Sequence, residues 1–281
     1  MPDCNNSCSA CGENCPSRQE PQSLQEPMNA FSNIKNVVAV VSGKGGVGKS
    51  LVTSLLAAKM QKKTGKAAVL DADITGPSIP KLFGVGDRRT DADERGLVPV
   101  ASAAGTKLMS INLLLENATS PVIWRGPVLA GVVKQFWTDV AWGEVEWMFV
   151  DLPPGTGDVP LTVFQSLPVK GIVIVTSPQE LVGMIVEKAA NMAEMMNVPV
   201  LGLVENMAYF ECPDCGSRHA VFGESHVQEA GAKRCIFNIA QIPIDPAVAA
   251  ACDAGKIEDV EAPWLDAFAE QLEKDVAKPG Q

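Results

Sequence analysis

Apolar runs alternate with amphipathic stretches along most of the chain. Seven runs that are apolar almost throughout predict buried strands, at 37–41, 66–70, 107–114, 146–150, 171–176, 198–204 and 236–242. Five stretches with helical periodicity predict helices, at 49–62, 127–139, 180–196, 246–254 and 264–276. Strands without a polar face are covered on both sides, so the pattern predicts an α/β fold with a parallel β-sheet flanked by helices on both faces.

Two segments depart from this pattern. Residues 1–30 have neither helical nor strand periodicity and are rich in Cys, Asn, Ser, Pro, Gln and Glu. We therefore expect a small Cys-rich metal-binding extension and linker at 1–30, followed by one folded domain at 31–281. Residues 84–106 are strongly charged, which predicts an exposed loop insertion.

Composition narrows the classes of partner. The 281-residue chain has a formal net charge of −10, which disfavours a broad nucleic-acid surface and an anionic membrane. No run approaches the ~18 apolar residues of a membrane-spanning helix. The N-terminus lacks a basic-then-apolar export pattern. We expect a cytoplasmic protein with neither nucleic acid nor membrane as partner.

A glycine-rich loop follows the first predicted strand. Residues 43–50 match the phosphate-loop pattern G-x-x-x-x-G-K-[ST] in its strand-to-helix context. Backbone N–H groups of such a loop face phosphate, and the following helix adds its positive dipole end. Lys49 is the expected β- and γ-phosphate ligand and Ser50 a magnesium ligand. The predicted nucleotide-binding loop is Gly43, Lys44, Gly45, Gly46, Val47, Gly48, Lys49 and Ser50.

Acidic residues follow two later strands. Asp71 and Asp73 end the second strand, and alternation places both on one side of an extended chain. One carboxylate is expected to hold Mg²⁺ and the other to orient an attacking water. Asp151 ends another apolar strand and is the expected second magnesium element, while Gly155 allows close backbone approach to the γ-phosphate. Alone, the stretch that begins at Asp71 is also typical of a solvated acidic turn, and the stretch that begins at Asp151 of an ordinary strand end.

Two further strand ends are candidates for recognition of the base. Asn206 follows the strand at 198–204, where its amide is suited to read the adenine edge. Pro243 follows the last strand, where its ring is expected to pack against one side of the base. Either residue is equally consistent with a plain strand terminus.

Cys212 and Cys215 form a C-x-x-C pair. A [4Fe–4S] cluster and structural zinc each need four ligands, and one pair supplies two. A twofold dimer would supply the other two and place one cluster on its axis. The alternative is a zinc site completed by His219 and His226, although the spacing is loose for zinc.

The other cysteines divide into a cluster and two single residues. Four thiols in the first fifteen residues can close a site within one chain, and their C-x₃-C-P ending favours iron–sulfur over zinc. They are Cys4, Cys8, Cys11 and Cys15. Cys235 and Cys252 are expected to be small buried apolar residues.

Residues 34–280 resemble the Mrp/ApbC/Nbp-type iron–sulfur carrier ATPases, in the deviant phosphate-loop group with MinD, ParA and the nitrogenase iron protein. The resemblance rests on GKGGVGKS (43–50), DADITGPSIP (71–80), VIWRGP (122–127), DLPPGTGD (151–158), Glu205-Asn206-Met207 and the C-x-x-C pair. It implies that Lys44 reaches the partner subunit's nucleotide and that Asp73 positions water. It also implies that Cys212 and Cys215 bind a [4Fe–4S] cluster bridging the dimer, and the N-terminal cysteines resemble those of the branch with a second cluster.

The leading hypothesis is an ATP-hydrolysing homodimer that passes a cluster to apo iron–sulfur proteins. Its expected catalytic residues are Lys44, Lys49 and Asp73, with Mg²⁺ held by Ser50, Asp71 and Asp151. One alternative is a MinD/ParA-like positioning ATPase, which needs a basic or membrane-binding surface. Another is an ATP-driven electron-transfer reductase.

Overall fold

The computed structural model describes residues 24–74, 76–115, 126–178 and 182–277. The predicted N-terminal ligands Cys4, Cys8, Cys11 and Cys15 lie outside these residues, as does most of the motif at 122–127. The strands are β1 (Ser32–Ser42), β2 (Ala67–Asp71), β3 (Asp91–Asp93), β4 (Gly96–Val98), β5 (Val100–Ala101), β6 (Lys107–Met109), β7 (Gly143–Asp151), β8 (Val169–Thr176), β9 (Val200–Glu205), β10 (Phe210–Glu211), β11 (Arg218–His219) and β12 (Ile239–Gln241). The α-helices are α1 (Lys49–Thr64), α2 (Ile79–Leu82), α3 (Gly126–Thr138), α4 (Asp158–Ser166), α5 (Val182–Met195), α6 (Val227–Lys233), α7 (Pro246–Asp253) and α8 (Asp266–Ala277).

Eight of the strands form one twisted sheet, which is the predicted parallel sheet. Its order is β12-β9-β8-β1-β7-β2-β6-β5, and every neighbouring pair is parallel except β5 with β6. Parallel pairing follows from the crossover helices, which return the chain to the same end of the sheet. The carboxyl ends of the parallel strands therefore meet at one edge.

Apolar layers cover both faces of the sheet. On one face α1 and α8 pack on alternate strand residues, with Leu56 and Leu272 fully buried. On the other face α3, α4, α5 and α6 pack around Trp137, Phe136 and Val186. Burial on both faces accounts for the continuous apolar runs of β1, β7 and β8. None of the described helices is both long enough and apolar enough to span a membrane.

Two predicted strands differ from the structure. The run at 107–114 is a strand only to Met109, and Ile111–Leu113 form a 3-10 turn closed by the Leu113 N–H donating to the Ser110 carbonyl. A buried turn and a strand have the same apolar pattern over so few residues. Of the run at 236–242, only β12 is a strand, because the N–H of Ile236 instead donates to the carbonyl oxygen of Gly231 in α6.

The segment at 84–106 is not simply an exposed loop insertion. It forms the β3–β4 hairpin and the antiparallel edge strand β5, which pairs with β6. Val85, Val100 and Thr106 are buried in it. Its acidic and basic residues face solvent and obscured these few inward positions in the sequence pattern. Helices α2, α4 and α6 were also missed, because each is too short to show a clear helical period.

Candidate functional site

The glycine-rich loop connects β1 to α1 at the carboxyl edge of the sheet, as its sequence context predicts. Gly48 precedes α1 with a φ of 82°, a left-handed conformation that favours glycine. A Cβ at this position would also collide with the Asn206 side-chain amide. Lys49 and Ser50 form the first turn of α1, so the loop N–H groups and the positive helix end lie together.

Asp151 connects the first two turns of α1 to the sheet. It ends β7, is fully buried, and pairs through Oδ1 with the Lys49 ammonium at 2.7 Å. Its Oδ1 also accepts a hydrogen bond from Thr53 at 2.8 Å, and its Oδ2 accepts one from Ser50 at 2.5 Å. A buried charge is tolerated when it is both paired and hydrogen-bonded. Asp151 meets both conditions.

The two carboxylates of the second acidic motif have different surroundings. Asp71 lies beside Asp151 in register and is fully buried, with Oδ2 accepting from the Ser110 hydroxyl at 3.0 Å. Burial, reinforced by the neighbouring Asp151 charge, raises the pKa of Asp71 well above its usual range, while Lys49 opposes the shift. Asp73 keeps 13% of its side chain exposed and lies 3.6 Å from the Lys49 ammonium. The structure therefore brings Asp71, Asp73 and Asp151 around one lysine.

These side chains suit a magnesium ion in donor chemistry. Mg²⁺ prefers oxygen ligands and retains several of its waters. The Ser50 hydroxyl and the Asp71 and Asp151 carboxyl groups supply only oxygen atoms, with Ser50 hydrogen-bonded to Asp151 and Asp71 beside Asp151 in register. The Asp73 and Asp151 carboxylates, which face the single Lys49 ammonium, also favour a cation.

Gly155 lies beside the loop, and its N–H has a partner in the protein. With a φ of 91°, it donates to the Ser42 carbonyl oxygen at 2.8 Å. A contact between this N–H and a γ-phosphate would require that bond to open or to be shared. The segment after β7 is thus attached to the start of the phosphate loop.

Asn206 and Pro243 lie on two adjacent segments at the same edge. The Asn206 amide is buried and donates to the Val47 carbonyl of the phosphate loop at 3.0 Å. The N–H of Ala208 donates to Ile242 at 2.9 Å, which joins the chain after β9 to the chain after β12. Pro243 borders a cavity of about 440 Å³ that Tyr209 and Trp264 also line. Base recognition by Asn206 and Pro243 stays a prediction.

The cysteine pair lies at the tip of the β10–β11 hairpin. Cys215 is exposed and Cys212 half-buried, and the Cys212 N–H donates to the Ser217 carbonyl at 2.9 Å. Hydrogen bonds with the Ser217 hydroxyl and backbone, and with the Cys212 side chain, lower the pKa of the Cys215 thiol. A lower pKa favours the thiolate, which is the metal-binding form. The base of the hairpin is held by Arg218, which stacks 4.4 Å from the Tyr209 ring centroid.

The zinc alternative requires His219 and His226 beside both cysteines. Within the described part of the chain, no group of three or more Cys, His, Asp or Glu side chains is placed to hold a metal ion. His219 is exposed in β11, and His226 instead lies 3.8 Å from Glu229. The described residues of a single chain thus provide the cysteine pair without further ligands.

The two single cysteines are not fully buried, contrary to expectation. Cys235 is exposed in a turn after α6, where its φ of 55° directs the chain back toward β12. Cys252 is half-buried on α7 against the α1 layer, and burial raises the pKa of its thiol.

Thr53, Ser110 and Ser217 were not predicted from the sequence. Thr53 follows Lys49 by four residues, so helical spacing alone places it on the same face of α1. Ser110 and Ser217 are brought to Asp71 and Cys215 by tertiary structure and by the hairpin, respectively. A polar residue inside the apolar run at 107–114 was the one local signal for Ser110.

The chain matches a family of known proteins over most of its length. A ParA family model described as NUBPL iron-transfer P-loop NTPase matches residues 33–277. A protein named iron-sulfur cluster carrier protein from Clostridium perfringens is 44% identical over 270 residues, covering 91% of this chain and 95% of the relative. Its namesake from Methanocaldococcus jannaschii is 40% identical over 260 residues, covering 91% and 90%.

Solved structures agree with the fold. A nucleotide-binding protein from Archaeoglobus fulgidus, determined in complex with ADP, is 47% identical with a TM-score of 0.76, covering 84% of this chain and 92% of that chain. MinD from Pyrococcus horikoshii, complexed with Mg-ADP, has a TM-score of 0.58 at 18% identity, covering 85% and 95%. At 18% identity, the similarity to MinD shows only that the two proteins share a fold.

The first prediction concerns the buried Asp71 carboxylate. Its folded-state pKa lies above the unfolded value, so ionisation destabilises the fold, and this cost grows as the pH rises between the two values. In nucleotide-free, magnesium-free protein at pH 8, Asp71→Asn should raise Tm by about 2–4 °C, the effect of ~1 kcal/mol in a domain of this size. The difference should shrink toward about pH 4, near the unfolded pKa.

Thermal unfolding followed by circular dichroism measures this effect. Asp91→Asn, on the exposed strand β3, is the matched control and should leave Tm unchanged within ~1 °C. A lower Tm for Asp71→Asn at pH 8 would mean that the Asp71 charge stabilises the fold.

The second prediction concerns the Cys215 thiol. Ser217→Ala removes the side-chain hydrogen bond that is the largest cause of its lowered pKa, so the pKa should rise. The alkylation rate of Cys215 as a function of pH, followed by peptide mass spectrometry, should shift to higher pH. Glu224→Ala, a change at an exposed residue in the loop after β11, serves as control. An unshifted profile would show that Ser217 does not tune this thiol.

Proposed function

The chain belongs to the NUBPL iron-transfer P-loop NTPases of the ParA family, and we propose that it is an ATP-dependent carrier of a [4Fe–4S] cluster. One observation carries the proposal: a single chain assembles the nucleotide site but supplies only part of the ligands for a cluster. The phosphate loop has its lysine, hydroxyl and carboxylates assembled in one chain. The cysteine hairpin offers two thiols, half of what a cluster needs, within the described residues.

In this proposal ATP binds with its phosphates along Gly43–Ser50. The loop N–H groups and the Lys49 ammonium bind the β- and γ-phosphates, and Lys49 then exchanges part of its contact with Asp151 for phosphate. Mg²⁺, held through Ser50, Asp71 and Asp151, would neutralise phosphate charge. Asp73, which is partly solvent-exposed, orients the attacking water for hydrolysis to ADP and phosphate.

A second copy of the chain would complete both sites. Lys44 lies half-buried in the loop, where the family resemblance assigns it to the partner's nucleotide. The exposed Cys215 and half-buried Cys212 leave their hairpin tip accessible to a symmetry-related tip. An isologous twofold interface repeats the same patch, so four thiols would surround one cluster on the axis. The cluster would then pass from this position to apo iron–sulfur proteins in the cytoplasm.

The alternative of a membrane-positioning ATPase is less well supported by the surface. The exposed face of α8 carries Asp266 and Glu270, and the chain has a net charge of −10. An anionic membrane repels such a face. The MinD likeness at 18% identity extends to the fold only.

The central experiment is anaerobic reconstitution with iron and sulfide. Serine replacements at Cys4, Cys8, Cys11 and Cys15 isolate the hairpin site. In this background we expect a thiolate-to-iron absorption band that Cys212→Ala abolishes and Cys235→Ala, an exposed single cysteine, retains. Loss of the band on addition of an apo iron–sulfur acceptor, with activation of that acceptor, would report transfer. A band that persists without Cys212 and Cys215 would contradict the proposed cargo site.

A further prediction concerns Lys44. A cation supplied in trans to a transferring phosphoryl group is worth about 10³–10⁵ in rate in other P-loop enzymes, so Lys44→Ala should lower kcat by about 10²-fold or more. ATP affinity should change little, because Lys49 remains. Lys35→Ala, on the exposed amino-terminal part of β1, is the matched control. Full activity of Lys44→Ala would show that one chain completes the ATPase site.

A further inference from the structure

A row of polar side chains crosses three strands beside the phosphate loop. Thr176, Glu205 and Gln241 occupy equivalent register positions at the carboxyl ends of β8, β9 and β12. Side chains in register on parallel strands point to the same face of the sheet. Ile174 and Leu203, two residues earlier on β8 and β9, pack in the apolar layer formed by α5 and α6. The polar row therefore borders that apolar layer at the carboxyl edge of the sheet.

Glu205 is the unusual member of this row. Its side chain is fully buried, and its Oε2 accepts hydrogen bonds from Ser225 at 2.5 Å and from Gln241 at 2.7 Å. Its Oε1 has no hydrogen-bond partner in the described structure, and neither has the buried Thr176 hydroxyl on the adjacent strand. No ion pair reaches Glu205 from the described lysines, arginines and histidines.

Stability alone does not account for this side chain. A fully buried carboxyl group with one unpartnered oxygen costs more than an apolar side chain of the same shape. Glutamine would fit part of the same network, because its carbonyl oxygen could accept from Ser225 and Gln241. The polar side chain in this position is therefore better explained by the hydrogen bonds that it accepts from Ser225 and Gln241 than by packing.

The bond to Ser225 closes the segment that carries the cysteine pair. This segment, residues 206–226, leaves the sheet after Glu205 and returns at the start of α6. Its first end is attached to the phosphate loop, because the Asn206 amide donates to the Val47 carbonyl. The same end is also attached to the chain after β12, because the Ile244 N–H donates to the Tyr209 carbonyl at 2.7 Å. Its second end is held by Ser225 on Glu205. One strand end thus fixes both ends of the hairpin segment.

We propose that Glu205 is a positioning residue that couples the phosphate loop to the Cys212–Cys215 hairpin. A nucleotide that moves the loop acts on Asn206, and the neighbouring Glu205 transmits the change through Ser225 to the far end of segment 206–226. The inference rests on the proposed function, since it gives the nucleotide a means of altering the cluster-binding thiols. Loss of the Ser225 hydroxyl would remove the hydrogen bonds that tie the second end of the segment to the end of β9 and to Gln241.

Hydrogen–deuterium exchange of the full-length protein, with and without a non-hydrolysable ATP analogue and Mg²⁺, tests this coupling. In the wild type, the analogue should slow exchange of peptides from 207–226 by about 5-fold or more, within the usual range of site-to-site coupling. In Ser225→Ala this response should fall below about 2-fold while analogue affinity stays within about 3-fold. Glu224→Ala, exposed and adjacent, should respond as the wild type does.

A conservative variant separates positioning from folding. Glu205→Gln retains an acceptor for Ser225. Its Tm should therefore be at least that of the wild type, and its exchange response to the analogue should equal that of the wild type. An unresponsive wild-type segment, an undiminished response in Ser225→Ala, or a response lost in Glu205→Gln with an unchanged fold would each overturn the inference. The readout needs no cluster, so a protein that fails to bind iron would refute the proposed function and leave this test intact.

Discussion

The buried Asp151 carboxylate is the interaction on which the nucleotide site depends. It joins the central strand β7 to Lys49, Ser50 and Thr53 in the first turns of α1. Strand β7 lies between β1, which leads into the phosphate loop, and β2, which ends at Asp71. An unpaired charge at this depth would cost several kcal/mol, so pairing with Lys49 holds the loop and helix in place before ATP arrives.

Strand β9 gives the structure its second organising constraint. Its end carries Glu205 and Asn206, which contact the cysteine-bearing segment and the phosphate loop respectively. A parallel sheet places such strand ends side by side, so a phosphate site and a thiol site can share one edge without a dedicated linker. In the proposed mechanism, the two thiols and Lys44 also share a requirement for a second subunit.

The sequence predicted which residues lie together at the carboxyl edge of the sheet better than it predicted the helices and strands around them. The phosphate loop, Asp71, Asp73 and Asp151 follow long buried strands, and parallel topology alone brings such strand ends together. The 107–114 run was mispredicted because a short apolar stretch carries no distinct period, and the 84–106 segment because its exposed charged residues obscure its few buried positions. The contacts of Ser110 with Asp71 and of Ser225 with Glu205 join residues 39 and 20 positions apart, so no local pattern reveals them.

The central claim is that one twofold dimer completes the cluster site. Native mass spectrometry of anaerobically reconstituted protein, with Cys4, Cys8, Cys11 and Cys15 replaced by serine, measures subunit number and cluster content together. The account predicts a dimer that carries a single [4Fe–4S] cluster, with an iron-free species when Cys212 and Cys215 are replaced. A monomer that retains a whole cluster, or a dimer with one cluster on each chain, would contradict it.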